Sequence, residues 1–240
     1  MVLLMCGLPA SGKTTTAERL HAALGGVLIR SCDVYQSLDI DLPDWVRRTR
    51  GFTVDVHLYD RVRDAAYVEM GRRLDAALAG GSSPVIVDAV HGEPDKRAAM
   101  YAICQARGAT PVLVRCRCDD PAEVARRFRA RRGREDDPPN EASDLSVFED
   151  ISRRWRDPVE DRLFDGRLPA IIAYDTSSGV VRVREEARLT CLERVMAVLN
   201  EPMGRETMTR HVGSTCDGDT VALMSSVEEQ DWSGPLHEEG

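Results

Sequence analysis

The sequence predicts a doubly wound α/β protein, a three-layer α/β/α sandwich around a five-stranded, mostly parallel sheet. Three observations lead there. Five short apolar runs, Val2–Cys6, Gly26–Arg30, Pro84–Val90, Thr110–Cys118 and Pro169–Tyr174, are nearly continuous in Val, Ile and Leu rather than alternating. That pattern marks strands covered on both faces. Stretches with helical spacing separate the runs, and strand–helix alternation is the signature of a doubly wound sheet. A length of 240 residues, 42% hydrophobic and 30% charged, suits one soluble domain with a sizeable core.

The first run, Val2–Cys6, leads through a Gly-rich turn into Lys13–Leu24, where Ala17, Leu20, Ala23 and Leu24 recur at helical spacing. The second run is followed by residues 34–54, which hold Pro43, Trp45, Arg47, Arg48 and Arg50. This segment is expected to be irregular, where such sheets place ligand-binding loops. A helix over Val56–Leu78 precedes the third run, and one over Asp95–Ala106 precedes the fourth. Pro121–Arg131 reads as a further helix. It leads into residues 131–143, dense in charge and proline, so a lid is expected over about 122–143. The next helix spans Asp144–Trp155. Ser143 suits its cap, and Glu141 and Asp144 suit its positive end. After the fifth run, Arg182–Leu199 reads as the last helix. The domain is therefore drawn at 1–203. Residues 204–240 are expected to be an acidic, disordered, solvating tail.

Net charge is −8, but residues 201–240 carry nine acids against two Arg, leaving the first 200 residues almost neutral. That excludes a globally basic nucleic-acid binder while allowing a local basic groove. Thirty of the 32 basic residues are Arg, so a surface Arg carries little weight. One of the only two Lys, Lys13, sits in a Gly-rich loop, which carries more. No run of 18 apolar residues offers a membrane span, and the start lacks the basic region of a signal peptide. Seven Cys with no CxxC pair point to reduced thiols and a cytoplasmic setting, with Cys116 and Cys118 read as small buried hydrophobes rather than metal ligands.

The strongest signal is Gly7-Leu8-Pro9-Ala10-Ser11-Gly12-Lys13-Thr14, a full match to the phosphate-loop pattern, preceded by a strand and followed by a helix. Its glycines let backbone N–H groups wrap a phosphate, and the helix N-terminus adds a dipole that favours anions. Thr15 continues the binding segment. Lys13 would bridge the β- and γ-phosphates of ATP, and the Thr14 hydroxyl would ligate Mg²⁺. The chain is too short for a motor core. It also lacks a guanine-specificity N-K-x-D motif and an L-S-G-G-Q signature, which leaves the small phosphotransferases.

Other residues fit phosphoryl transfer. Asp33, after the second strand, is placed either to accept a hydroxyl proton or simply to cap the next segment. Asp88 ends the third strand, a usual position for a Mg²⁺ contact or an acceptor contact. His91 just beyond is read as an exposed loop histidine. Six Arg fall within Arg126–Arg134. Arg127 and Arg131 share a helix face and suit guanidinium forks on phosphates. Arg132 at the lid hinge suits transition-state charge. Arg126 and Arg129 are read as surface residues. Thr176, in the loop after the fifth strand, either lines the nucleotide base or only turns the chain.

These residues resemble the small P-loop kinases of the polynucleotide-kinase-like, or zeta-toxin-like, group, also described as AAA-type ATP-binding domains. The matching pieces are Gly7–Thr14, Asp33, Val85-Ile-Val-Asp88-Ala, Pro121-Ala-Glu-Val-Ala-Arg-Arg127 and Arg131-Arg-Gly, spanning about residues 1–180. The phosphate loop with Cys6 before it is similar to the tRNA-directed branch, the O-phosphoseryl-tRNA kinases and elongator-associated tRNA-modification ATPases. The spacing of Asp88, Arg97 and Tyr101 and the Arg154-Trp-Arg-Asp-Pro stretch are similar to it too. One departure stands out. Polynucleotide kinases carry Asp-x-x-Arg after the second strand, and this chain has Asp33-Val-Tyr-Gln36. Gln cannot form the charged fork, which argues against a 5′-hydroxyl polynucleotide acceptor unless Arg47, Arg48 or Arg50 substitutes.

The resemblance and the residues together imply an ATP- and Mg²⁺-dependent kinase acting on a hydroxyl of a nucleoside, a nucleic acid such as tRNA or an oligonucleotide, or a small metabolite. The other reading is an ATP-hydrolysing switch working with tRNA or a protein partner. No membrane partner is implied.

Overall fold

The computed structural model describes residues 1–38, 56–132, 145–184 and 190–201. Strands are β1 Val2–Cys6, β2 Val27–Arg30, β3 Val85–Asp88, β4 Pro111–Arg117, β5 Ala170–Asp175 and β6 Val181–Arg184. Helices are α1 Lys13–Leu24, α2 Ser31–Ser37, α3 Val56–Ala79, α4 Pro94–Ala106, α5 Pro121–Arg132, α6 Leu145–Arg154 and α7 Thr190–Asn200. A short 3-10 turn spans Pro158–Glu160. The sheet runs β2-β3-β1-β4-β5-β6, with every pair parallel except β5–β6.

The continuous apolar runs have the predicted cause. Along β1, Val2, Leu4 and Cys6 join one core with Ala66, Met70 and Leu74 of α3 and Met100 and Cys104 of α4. Leu3 and Met5 join the other, with Ala17 and Leu20 of α1 and Leu192 and Val195 of α7. Successive side chains of a strand point to opposite faces, so a central strand with helices on both sides must be apolar throughout.

Among the described residues the sheet has six strands rather than five, and Arg182–Leu199 is not one helix. Asp175 accepts from the backbone N–H of Ser177 (2.9 Å) and turns the chain back, and Val181–Arg184 then pairs antiparallel with β5. Val181 and Val183 pack on the core while Arg182 is exposed. This period-2 alternation belongs to a half-buried edge strand, and the helix described after it is α7, Thr190–Asn200. A second correction falls after β2, where the expected irregular segment begins as helix α2, running to Ser37 with Val34 as its buried anchor. Residues 39–54, the lid segment 133–143, Glu141, Ser143, Asp144, Arg47, Arg48, Arg50 and the tail 204–240 lie outside the described residues.

Among the described residues no helix is long and apolar enough to cross a membrane. Cys6, Cys104 and Cys116 are buried free thiols, each pushed up to about 12 by burial, while Cys32 and Cys118 are half-buried. The side chains of Cys191 and Cys216 lie outside the described residues.

Candidate active site

The site is built at the C-terminal ends of the central strands. Met5 pairs with Asp88, and Arg30 pairs with Asp88 from the other side. The loop after β1, the end of β3 and the start of α2 therefore meet along one edge of the sheet.

The loop from Gly7 to Thr14 is held as a cradle. Ala10 and Gly12 adopt φ of 64° and 84°, a left-handed geometry that turns successive N–H groups toward one concavity. A Cβ on Gly7 would stand 2.3 Å from the Cys116 carbonyl oxygen and 2.7 Å from Ser11 Oγ, so only glycine fits there. Gly12 caps α1 without a side-chain acceptor for the first helical amides, which leaves those donors for an anion. Among the described residues Ser11 Oγ, which is buried, has no hydrogen-bond partner. Lys13 is 8% exposed, and its Nζ donates to the Leu8 carbonyl at 2.8 Å. Pro9 is buried, Thr14 half-buried and Thr15 exposed.

Arg127 reaches this loop from α5. Its guanidinium donates to the Ala10 carbonyl (3.0 Å), to Thr176 Oγ1 (2.8 Å) and to the Thr176 carbonyl (3.2 Å). Glu123, one turn earlier, orients it at 2.7 Å. The forks of Arg126 first, and Arg127 with it, hold the Glu123 carboxyl down at about 2. Thr176 is buried, with its hydroxyl 2.9 Å from the Ser11 carbonyl and 3.0 Å from that of Arg117. Its polar atoms are thus engaged with the loop's backbone. Arg126 and Arg129 are exposed, as expected. Arg131 and Arg132 close α5, and their side chains lie outside the described residues.

Asp88 is buried at 3% exposure. Asp33 is exposed on the first turn of α2, 4.0 Å from Arg30 and 3.4 Å from the Cys32 thiol. On a helix it lies about 200° around from both Ser31 and Tyr35.

His91 corrects an expectation, because it is completely buried rather than exposed. Its Nδ1 lies 2.7 Å from the Met5 carbonyl, its N–H donates to Tyr67 Oη (3.0 Å), and its carbonyl accepts from Cys6 Sγ and Arg97. Its backbone takes a left-handed φ of 45°. The Met5 carbonyl holds the ring, while Tyr67, Cys6 and Arg97 hold the backbone of His91 in place. Burial, with Arg97 and Lys13 adding repulsion, pulls the imidazole down to about 4.

Beside these groups lies a cleft that no motif announced. Ser31, Tyr35, Arg63, Tyr67, Glu93 and Arg154 line it, from α2, α3, the turn into α4, and α6. Arg63 and Tyr67 are one helical turn apart, the only hint the sequence held. Behind it, fully buried Arg97 makes a two-pronged pair with Asp161 (2.6 and 2.7 Å), to which Tyr101 also donates (2.7 Å).

Residues 2–158 match the family model described as AAA domain. No curated protein matches the chain. Among solved structures, a sugar kinase from Janibacter sp. HTCC2649 is 14% identical with a TM-score of 0.51, covering 82% of this chain and 91% of that one. Kti12 of Chaetomium thermophilum, in complex with ADP-AlF3, is 18% identical (TM-score 0.48; 84% and 96% covered). A gluconokinase from Sinorhizobium meliloti 1021 is 17% identical (TM-score 0.48; 88% and 97% covered). At these identities the likeness is one of fold.

Proposed function

Since this chain belongs to the AAA domain family, whose fold here is that of P-loop kinases and ATPases, we propose that it is an ATP- and Mg²⁺-dependent kinase acting on a hydroxyl acceptor. The observation that carries this reading is the polar cleft of Ser31, Tyr35, Arg63, Tyr67, Glu93 and Arg154, joined to the phosphate loop through Val90 on its wall, whose carbonyl accepts from the Gly7 N–H at 3.1 Å. A phosphotransferase needs a second binding site within reach of the γ-phosphate, and a bare hydrolase does not.

The loop amides of Gly7–Thr15 and the N-terminus of α1 bind the phosphates, and Lys13 swings from the Leu8 carbonyl to the β- and γ-oxygens. Arg127 stays on the loop near the nucleotide, and Arg131 and Arg132 supply further positive charge from the end of α5. Thr176 keeps the loop in shape. Thr14 and Asp88 offer hard oxygen donors, a set that fits Mg²⁺. Among the described residues no cluster of three or more His, Cys, Asp or Glu forms a cage, and Mg²⁺ commonly relies on one or two protein oxygens plus phosphates and water. When bound, the ion neutralises charge on the β- and γ-phosphates. Asp33 takes the acceptor proton.

One observation favours the rival, an ATP-hydrolysing switch acting with tRNA or a protein. Asp33 sits on the side of α2 facing Arg30 rather than with Ser31 and Tyr35 in the cleft. Asp33→Ala separates the two. A kinase loses on the order of 100-fold in phosphoryl transfer, whereas a switch keeps its ATP hydrolysis. Lys13→Ala abolishes activity in either case and controls for contaminants.

A further inference from the structure

We propose that the outer face of helices α3 and α4 is a self-association surface, through which two copies of this chain pair about a two-fold axis. This surface is independent of the kinase reading, and its groove is separate from the cleft.

The groove lies between α3 and α4 and has a volume of about 460 Å³. Tyr67, Val68 and Gly71 of α3 and Ala99, Met100 and Ile103 of α4 form its apolar lining. On each helix these residues recur at three- or four-residue spacing, which places them on one side. The face carries both a projection and a hollow. Val68, at the middle of α3, is 75% exposed, more than any other large hydrophobic among the described residues. Gly71, one turn on, and Ala99 are the smallest residues of the lining and leave room beside it. A face with both shapes is self-complementary. A two-fold rotation brings Val68 of each copy to the hollow of the other.

Charge selects a second copy over the other occupants. Arg72 pairs with Glu69 at 2.7 Å, Lys96 with Asp64 at 2.8 Å and with Asp95 at 3.5 Å, and Arg107 with Asp75 at 2.7 Å. Three cations stand among four carboxylates, so the rim has no positive excess to attract a nucleic acid. Nor does it attract residues 201–240, with their nine acids against two Arg. Interleaved signs let the face meet its own copy without a like-charge block. The area is also sufficient. Helix α3 has 24 residues and α4 has 13, about 36 Å and 20 Å long and each about 10 Å wide. Their corrugated faces span roughly 560 Å² in plan and more in accessible area, near the roughly 800 Å² per partner of a stable interface. Tyr67 lines both this groove and the cleft, so pairing braces one wall of the cleft from outside.

The test is sedimentation equilibrium of the full chain between about 1 and 100 μM, a range that brackets a micromolar Kd. The mass is expected to rise to twice the 26.6 kDa of one chain and no further. Val68→Asp and Ala99→Arg each put a charge on an exposed position of the face. Both are expected to fold and to raise the dimer Kd about tenfold or more. Phe164→Asp, at a 67% exposed position outside the face, is expected to leave the Kd unchanged. A mass of 26.6 kDa at every concentration overturns the inference. Faster alkylation of Val68→Cys on deletion of residues 204–240 would then give the groove to the chain's own tail. A dimer that withstands both face variants, or growth beyond two copies, overturns the inference as well.

Discussion

His91 carries a consequence for pH. Its ordinary value is 6.5, and in the folded chain it lies at about 4, chiefly through burial. Between these values the unfolded chain takes up a proton that the folded chain refuses. Stability is therefore full above pH 6.5 and falls as pH drops toward 4, by about 2 kcal/mol at pH 5. Urea unfolding of His91→Gln is expected to show that much less acid dependence between pH 7.5 and 5, and an unchanged slope would refute the assignment. Gly7 is a second single-residue test. Gly7→Ala puts a methyl 2.3 Å from the Cys116 carbonyl oxygen, so the loop must shift. Transfer is expected to fall on the order of 100-fold, with weaker binding of a fluorescent ATP analogue. The loop was legible in the sequence because each of its residues is dictated by backbone geometry and phosphate chemistry. His91 was not, since its burial depends on Arg97 and on Tyr67 and the Met5 carbonyl, the last two 24 and 86 positions away.

Elements meet at Arg97. Its guanidinium joins Asp161 to the carbonyls of His91 and Arg156, and Arg115 on β4 pairs with Asp157. Together these pin the chain after α6 to the sheet edge, and with it Trp155 against Gly92. Arg97→Met leaves the half-buried Asp161 without its counter-charge and is expected to cost about 3 kcal/mol in urea unfolding. Tyr101→Phe removes one bond to the same carboxylate and costs about 1–2 kcal/mol. Helices such as Lys13–Leu24 were legible to the residue because their apolar spacing is local. β6 was not, because four residues with two Val and two Arg offer too short a pattern to separate an edge strand from the start of a helix. The cleft was illegible for a related reason. Tyr35, Arg63, Tyr67 and Arg154 come from three helices, and no spacing links them.

Over the whole molecule, parallel pairing with helices on both faces followed from continuous apolar runs. The order β2-β3-β1-β4-β5-β6 did not, since apolar runs carry no record of their neighbours. Every element that touches the loop or the cleft, among the described residues, ends by Asn200. Deleting residues 204–240 is therefore expected to leave the Kd for ATP within about twofold, and a large loss would show that the tail belongs to the site. Thr176 and Ser11 lie 165 positions apart and share a hydrogen bond, with Arg127 binding both Thr176 and Ala10. Synthesis runs from the N-terminus, so the phosphate loop leaves the ribosome well before its buttress. A nascent chain that ends before Thr176 carries the full phosphate-binding motif but not the support that shapes it. A chain truncated before Thr176 is thus expected to bind a fluorescent ATP analogue far more weakly than the full chain, and equal Kd values would show that the loop keeps its shape alone.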